Sequence, residues 1–344
     1  MLMVCGEALL DVFATGETST GLALDARVGG SPFNLAVGLA RLGQPVGFFS
    51  AISTGFAGER LMRALVAEGV DTGAVVRSAA PTTLSLIGLD AQGVPSYAFY
   101  GDGCADRLLH TADLARVPDD ITALNIGSYA TVVEPVASTL RALVARVRRE
   151  GHEPRQGQGQ EHARGHAALI AFDPNIRLNV EPDLQRWRDQ LAWMLPRTDL
   201  LKISDEDLGL LQPGVALEAF AAHALAHGVA AVVVTRGALG ALGWTAGANA
   251  STAPVPVTVI DTVGAGDTFQ AALLTWLAEH GALTATALAA LTSSELHDAL
   301  SFAARAAAIT CSRRGADMPR RNELPGGPQD SAQDAAQAGQ PSRP

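Results

Sequence analysis

Short apolar runs alternate along the chain with stretches whose apolar residues recur at helical spacing. The apolar runs are LMVCG (2–6), VGFFSAI (46–52), ITALNIG (121–127), AALIAFD (167–173), DLLKIS (199–204) and AAVVVT (230–235). Helical spacing is found at 34–43, 57–69 and 134–151. This alternation predicts βαβ units and therefore an α/β fold with a doubly wound, mostly parallel sheet flanked by helices. In such sheets, ligands bind beyond the carboxyl ends of the strands.

Two segments, 9–28 and 82–100, alternate apolar and polar residues instead, which is typical of antiparallel hairpin strands. We expect them to form a small β lid on an α/β core. The predicted core comprises 1–8, 29–81 and 101–320. The polar, Gly/Gln/His-rich stretch 151–166 is too long for an ordinary connection and predicts a flexible insertion. The tail 325–344 has too little apolar content to fold and predicts disorder.

Composition and charge narrow the function. The net charge is −10 and the isoelectric point about 5.2, which argues against nucleic-acid and anionic membrane partners. Three scattered cysteines, a start that carries Glu7 and Asp11, and the lack of an apolar run of about 18 residues predict a cytoplasmic protein. The chain has one lysine, Lys202, so we expect any anion site to use arginine, backbone N–H groups or a metal ion.

The segment DTVGAGDTF (261–269) places two glycines between an apolar run and a helical pattern that starts near Ala265. Unpaired N–H groups and the helix dipole make such a helix start an anion site. Asp267 lies in the first helical turn. Taken alone, it is explained as a carboxylate that the dipole stabilises by roughly 0.3–1 kcal/mol. The P-loop pattern fails for want of its lysine, and Gly264-Ala-Gly266 matches the dinucleotide fingerprint only in part.

A second glycine motif, VGGSPFNLAVGLARLG (28–43), precedes another helical pattern. Its structural interpretation is a helix start with Ser31 as N-cap and Pro32 at the first helical position. Its functional interpretation is that the glycines admit a polar ligand to the backbone and that Asn34 offers two donors and an acceptor. Asp11, just past the first strand, is placed to accept hydrogen bonds from hydroxyls. The two glycines, Asn34 and Asp11 together suit a neutral, polyhydroxylated substrate.

With both glycine motifs identified, the sequence resembles the PfkB (ribokinase-like) family of carbohydrate kinases, and bacterial fructokinases most of all. The segments GGSPFNLAVGLARLG and DTVGAGDTF resemble its two signatures. DPNIR (173–177), KISDEDL (202–208) and VTRGALG (234–240) follow in the family's order, and the resemblance covers about residues 1–320. It departs at Gly101, where fructokinase-like members often carry arginine.

The resemblance implies transfer of the ATP γ-phosphate to a sugar hydroxyl with Mg²⁺, with Asp267 as the catalytic base. It also implies an anion hole, substrate contacts, nucleotide contacts and a metal contact. The anion hole is Gly264, Ala265 and Gly266, assisted by Arg177; the substrate contacts are Asp11, Gly29, Gly30 and Asn34; the nucleotide contacts are Thr235, Gly237, Gly240, Ser204, Gly315 and Ala316; the metal contact is Asp207. A monovalent cation such as K⁺ and a homodimer through the lid are further expectations from the family.

Other interpretations stay open at this point. Fructose is the expected sugar, with 2-keto-3-deoxygluconate, other ketoses, ribose and nucleosides as alternatives. An NAD-dependent oxidoreductase would rest on Gly264-Ala-Gly266 alone, and NAD binding would distinguish it. A non-catalytic sugar or nucleotide sensor is the third interpretation, which an ADP-release assay over a panel of sugars would separate from a kinase.

Overall fold

A computed structural model describes residues 1–89, 95–150 and 168–324. Its central feature is an eight-stranded sheet of order β14-β13-β12-β11-β10-β9-β1-β4, parallel from β12 to β4 and antiparallel at β12–β13 and β13–β14. The strands of this sheet are β1 (Leu2–Cys5), β4 (Val46–Phe49), β9 (Ala123–Gly127), β10 (Leu169–Asp173), β11 (Leu200–Ser204), β12 (Ala231–Thr235), β13 (Ala241–Thr245) and β14 (Asn249–Thr252). A separate parallel pair joins β5 (Ala51–Ser53) to β6 (Val76–Ser78).

Helices cover both faces of the sheet. They are α1 (Ser31–Arg41), α2 (Phe56–Ala67), α3 (Val136–Glu150), α4 (Leu184–Met194), α5 (Asp205–Leu211), α6 (Leu217–Ala226), α7 (Ala265–Glu279), α8 (Ala285–Ala289) and α9 (Ser293–Cys311). Strands such as β1 and β4 are apolar on both faces because alternate side chains enter different cores. Leu2 and Val4 of β1 pack in the core that contains residues of α1, α2, α7, α8 and α9, whereas Met3 and Cys5 pack in the core that contains residues of α3 to α6.

A second sheet, which we call the lid sheet, has the order β3-β2-β7-β8. Its strands are β2 (Leu9–Glu17), β3 (Leu22–Gly29), β7 (Thr83–Leu89) and β8 (Pro95–Tyr100). The β2–β3 and β7–β8 pairs are antiparallel hairpins, as the alternating pattern predicts. The central β2–β7 pair is parallel, because the two hairpins come from distant parts of the chain and meet side by side in the same direction.

The predicted fold class is confirmed: a mostly parallel sheet flanked by helices, with a small additional sheet. The six apolar runs all contain strands of the central sheet. The antiparallel edge hairpin β13–β14 was not predicted. The insertion 151–166 and the tail 325–344 lie outside the described residues, and the proposed domain boundaries stay a prediction. In the part of the chain that the structure describes, no helix is both long and apolar enough to cross a membrane.

Two neighbouring strands approach each other closely at the carboxyl edge of the sheet, where β9 and β10 end. A Cβ atom at Gly127 would collide with the carbonyl oxygen of Asp173. The following residue, Ser128, has a φ of 54° and donates its N–H to the same oxygen. Asn175, just past β10, has a φ of 42°. Positive φ in residues other than glycine is uncommon and clusters at functional sites.

We therefore expect Gly127→Ala to destabilise the protein by about 1–3 kcal/mol, the usual range for overpacking. Gly209→Ala is the matched control, because Gly209 lies in α5 with open space at its Cβ position and should gain up to about 1 kcal/mol. Urea unfolding of the two variants measures the difference. Equal stability of both variants would contradict the close approach of the strands.

Candidate active site

A cavity of about 500 Å³ separates the carboxyl edge of the central sheet from the lid sheet. Several residues predicted from the motifs line it together. These are Asp11, Gly30, Asn34, Arg177, Gly264, Gly266 and Asp267. The structure thus brings both glycine motifs and the DPNIR segment to one site, although they are far apart in the sequence.

The lid sheet forms one wall of this cavity. Asp11 of β2 lies opposite Ser85 of β7, and Ser85 lies opposite Phe99 of β8. Phe13 and Ile87 form the next row. Because side chains alternate between the faces of a strand, these residues share the cavity face. Sequence analysis missed Ser85, Ile87 and Phe99, since strand alternation alone does not say which face meets a ligand.

Asp267 is held from two sides by the first turn of α1. The Ser31 hydroxyl donates to Oδ1 at 2.6 Å, and the Asn34 amide donates to Oδ2 at 2.9 Å. The expectation that Ser31 is the N-cap is wrong: Gly30 takes that position with a φ of 104°, and Ser31 is the first helical residue. Its hydroxyl is therefore free to reach the carboxylate. Asn34, expected at the sugar, is hydrogen-bonded to Asp267 in this structure.

The carboxyl groups of the cavity are poorly hydrated, which affects their ionisation. Burial raises the pKa of Asp267, while the hydrogen bonds from Ser31 and Asn34 and the charges of Arg177 and Lys202 act against this shift. Burial also raises the pKa of Asp11 to about 6 and that of Glu7 to about 8. The hydrogen bonds from Ser31 and Asn34 of α1, which we call the clamp, therefore favour the ionised form of Asp267. This is the form that accepts a proton.

The turn before α7 presents free backbone donors to the cavity. Among the described residues, the N–H groups of Gly264, Gly266 and Asp267 have no hydrogen-bond partner. The predicted donor set needs one correction: the N–H of Ala265 donates to the carbonyl oxygen of Thr262 at 3.2 Å. Ala265 thus closes the turn rather than supplying a free donor. Three amides at a helix start still form an anion site.

Glycine is required at positions 264 and 266 of this turn for different reasons. Gly264 has a φ of 77°, and a Cβ atom there would lie 2.5 Å from the Cβ atom of Ala316. A Cβ atom at Gly266 would meet only the Lys202 amine, at 3.7 Å. Gly264 is thus needed for the fold of the turn, whereas Gly266 keeps the anion site open.

Lys202 itself was not expected at the site. Its buried ammonium lies 2.6 Å from Oδ2 of Asp173 and faces Gly266. An anion bound at this turn would therefore have a lysine beside it, in addition to the arginine, backbone N–H groups or metal ion expected from the sequence. The KISDEDL motif begins at Lys202, but it does not indicate that this side chain reaches the site; the pairing of β10 with β11 brings it there.

The predicted nucleotide contacts lie along the same sheet edge but outside this cavity. Ser204 and Thr235 are the last residues of β11 and β12 and pair in register. Gly237 and Gly240, with φ values of 49° and 84°, form the turn after β12. Gly315 donates its N–H to Asp261, and Ala316 packs on Gly264. Of these residues, Gly315 and Ala316 adjoin the turn of the anion site, and Ser204 and Thr235 adjoin each other; we call the whole set the border.

The remaining residues singled out in the sequence are Gly29, Arg177 and Gly101, and the structure shows what each of them contacts. A Cβ atom at Gly29 would collide with the Asp11 carboxylate, so Gly29 makes room for that side chain and is not itself among the lining residues. Arg177 lies at the cavity and donates to the carbonyl oxygen of Ile176 at 2.9 Å. At Gly101, where the related kinases often carry arginine, the Arg107 guanidinium fills the space and lies 5.4 Å from the centroid of the Phe99 ring.

A magnesium ion fits the chemistry of this edge. Within the described ranges, no group of three or more His, Cys, Asp or Glu side chains is placed to hold a metal ion. Magnesium in kinases needs only one or two carboxylates, because substrate phosphates and water complete its shell. Burial and the nearby charge of Asp173 raise the pKa of Asp207 to about 6. Two carboxylates that repel each other at a phosphate site are suited to a divalent cation.

Together, the fold and the site define a class of protein. Free amides and cations at a helix start suit a phosphate, and a carboxylate beside them faces a polar cavity that suits a hydroxyl compound. This arrangement serves phosphoryl transfer to an alcohol, in which positioning and charge stabilisation do most of the work.

Comparison with known proteins agrees with that class. Residues 1–322 match the model of the pfkB family carbohydrate kinases. A fructokinase from Rhizobium leguminosarum bv. trifolii is 36% identical over 298 residues, which cover 87% of this chain and 86% of that protein. The structure of Xylella fastidiosa fructokinase with bound ATP superposes with a TM-score of 0.79 at 24% identity, covering 98% of both chains. That of Vibrio cholerae fructokinase with fructose, ADP and calcium gives 0.71 at 24% identity, covering 92% and 94%.

The chain therefore belongs to the pfkB family of carbohydrate kinases, and the resemblance seen in its motifs is confirmed. It is a phosphotransferase that acts on a sugar hydroxyl. The interpretations as an oxidoreductase or a non-catalytic sensor do not agree with this membership.

Removal of the Ser31 hydroxyl tests the clamp on Asp267. In Ser31→Ala, the pKa of Asp267 should rise further, because a hydrogen bond to its ionised form is lost. We expect the acid limb of the pH profile of kcat/KM to move upward by roughly one pH unit. Ser31→Thr, which keeps a hydroxyl, is the control and should stay near the wild-type profile. A Ser31→Ala profile that overlays the wild type would contradict the clamp.

The different roles of Gly264 in the turn and Gly266 at the anion site give a second prediction. Gly266→Ala should fold with a melting temperature at or above that of the wild type, because its methyl group finds space and alanine favours a helix. The KM for ATP should nevertheless rise by about tenfold, since the methyl group occupies the approach to the free amides. Gly264→Ala should lower the melting temperature. An unchanged KM for ATP in Gly266→Ala would place the phosphate elsewhere.

Proposed function

We propose that the protein is an ATP-dependent fructokinase that transfers the γ-phosphate of ATP to a hydroxyl of fructose. The observation that carries the proposal is the position of Asp267. Its carboxylate lines the hydroxyl-binding cavity and stands one residue after Gly266, in a turn with three free N–H groups. A nucleophilic hydroxyl and a transferring phosphate can therefore meet beside one base.

Fructose as the substrate is supported by the relatives and by the cavity. The related proteins from Rhizobium leguminosarum bv. trifolii and Klebsiella pneumoniae, 36% and 31% identical, are fructokinases. The cavity offers Asp11, Ser85 and Asn175 as hydrogen-bonding groups and Leu9 and Phe13 as apolar walls. A neutral sugar with several hydroxyls matches this mixture better than a sugar phosphate, which would need more cations.

ATP is proposed to lie along the border formed by Thr235, Gly237, Gly240, Gly315 and Ala316. Next to it, the segment 253–263 exposes Val259 and Ile260 by 60% and 63%, and the nearby turn exposes Leu239 by 61%. Exposed apolar side chains of this kind suit a planar base. The terminal phosphate would then point at Gly264, Gly266 and Lys202. The Xylella fastidiosa fructokinase, whose structure contains bound ATP, has the same fold.

The chain's own residues would divide the reaction among them. Asp267 orients the sugar hydroxyl and takes its proton as the oxygen attacks phosphorus. The free amides of the turn, with Arg177 and Lys202, meet the charge on the phosphoryl oxygens. Asp207, with Asp173 nearby, is the proposed contact for Mg²⁺, which when bound neutralises phosphate charge. The lid sheet excludes water from the cavity and so limits hydrolysis of ATP.

A homodimer through the lid sheet is part of the proposal. The edge strand β3 is the outermost strand of that sheet and exposes Leu22 by 54% and Leu24 by 52%. An unpaired edge with apolar side chains favours pairing with a second copy. A monovalent cation such as K⁺ stays a prediction from the family, without a distinct group of side chains to support it.

The deciding experiment measures ADP release with ATP and Mg²⁺ over fructose, 2-keto-3-deoxygluconate, other ketoses, ribose and nucleosides. Fructose should give the highest kcat/KM. Asp267→Asn should then keep ATP binding and the fold, because asparagine preserves the shape of the side chain. Its kcat should fall by about 10²–10⁴-fold, the usual contribution of a general base.

Two outcomes separate the parts of this proposal. If another sugar of the panel were preferred, the substrate assignment would be wrong while the base assignment stood. Near-normal turnover by a folded Asp267→Asn variant would instead show that Asp267 is not the catalytic base. Calorimetric titration with ATP shows whether a loss of activity leaves the nucleotide site intact.

A further inference from the structure

Besides the free backbone N–H groups, the cavity contains a buried side-chain donor that has no partner among the described residues. Nδ2 of Asn175 is buried and makes no hydrogen bond with any residue that the structure describes. The same residue lines the cavity. Buried amide groups are nearly always hydrogen-bonded, so an unpaired one at a binding cavity points to a missing acceptor.

The backbone of Asn175 supports the same conclusion. Its φ of 42° lies in the left-handed region, which asparagine tolerates better than most residues but which still favours glycine. Asn175 thus combines an uncommon backbone conformation with an unsatisfied side chain. A residue that served only the turn would not need to leave its amide unpaired.

Several polar groups near Asn175 already have hydrogen-bond partners. Asp173 pairs with Lys202 at 2.6 Å, and Nη1 of Arg177 donates to the carbonyl oxygen of Ile176. Both oxygens of Asp267 accept hydrogen bonds from α1. The Asn175 amide is therefore a buried donor of this segment that is free to meet a ligand, and it lies close in sequence to Arg177, whose Nη1 alone is hydrogen-bonded among the described residues.

We propose that Asn175 is a substrate-contacting residue whose amide donates a hydrogen bond to an oxygen atom of the bound substrates. The inference rests on the proposed function, because it takes the sugar and the terminal phosphate of ATP as the molecules that fill the cavity. Both carry acceptor oxygens: a sugar hydroxyl on one side, a phosphoryl oxygen on the other. Asn175 lies on the same short segment as Arg177, between the lid sheet and the sheet edge, where the two would meet.

Two substitutions remove the donor in different ways. Asn175→Asp keeps the size of the side chain and tolerates the left-handed conformation, but replaces the amide by an acceptor with a charge. Asn175→Gly removes the side chain and relieves the backbone. Ser128→Gly is the matched control, because among the described residues Ser128 also has a positive φ without being glycine, and its side chain does not line the cavity.

We expect both Asn175 variants to fold, with melting temperatures near that of the wild type, and to lose roughly tenfold in at least one kinetic constant. A higher KM for fructose alone would assign the acceptor to the sugar. A higher KM for ATP, or a lower kcat with both KM values unchanged, would assign it to the phosphoryl group. Ser128→Gly should keep all three constants, which excludes a backbone effect.

The proposal would be overturned if kcat and both KM values of the two variants stayed within about twofold of the wild type, since a tenfold loss is expected. It would also be overturned if only Asn175→Asp were impaired, because the added charge and not the lost donor would then be responsible. Failure of the proposed function is a separate result, seen as a lack of fructose phosphorylation by the wild type. In that case, calorimetric titration of wild type and Asn175→Gly with ATP and with each sugar still tests the contact.

Discussion

The site depends on the contact between the first turns of two helices that start at the same sheet edge. Ser31 and Asn34 are three residues apart in α1 and so share one helix face, from which both reach the carboxylate of Asp267 in α7. The approach of the helices is possible because Gly38 of α1 packs on α7, where a Cβ atom at residue 38 would lie 2.9 Å from the Cβ atom of Ala271. A larger residue at position 38 would separate the helices and with them the clamp.

This contact also determines the electrostatics of the cavity. Burial alone would favour the protonated form of Asp267, which cannot act as a base. The hydrogen bonds from α1 and the charges of Arg177 and Lys202 oppose burial, and both cations also face the position proposed for the phosphate. The same positive charges thus favour the ionised form of Asp267, the proposed base, and would also favour a phosphoryl group bound at the proposed position. Because the carboxyl group of Asp267 is buried, each of these interactions is stronger than it would be in water.

Much of the fold could be predicted from the sequence, because apolar strands buried on both faces and amphipathic helices leave strong patterns. The parallel β2–β7 pair and the β13–β14 hairpin could not, since pairing between short strands depends on the tertiary structure. The residues of the site likewise divide into those that the sequence predicts and those that depend on the tertiary structure. Asp267, Gly264 and Gly266 lie in a recognisable motif, whereas Lys202 reaches the site through strand pairing and Ser85 through the face that the lid sheet turns inward. The bond from Ala265 to Thr262 depends on the geometry of one turn, which spacing does not determine.

The groups that make the site chemically useful are those that the folded chain leaves unsatisfied. The N–H groups of Gly264, Gly266 and Asp267 lack partners among the described residues, as does the amide of Asn175. Left unpaired, such donors reduce the stability of the ligand-free protein. A sugar and a nucleotide would satisfy them together, so binding of substrates should be coupled to stability as well as to chemistry. Unpaired hydrogen-bond donors at the sheet edge cost stability. The apolar cores on the two faces of the sheet compensate for this cost, so the protein can fold before its ligands bind.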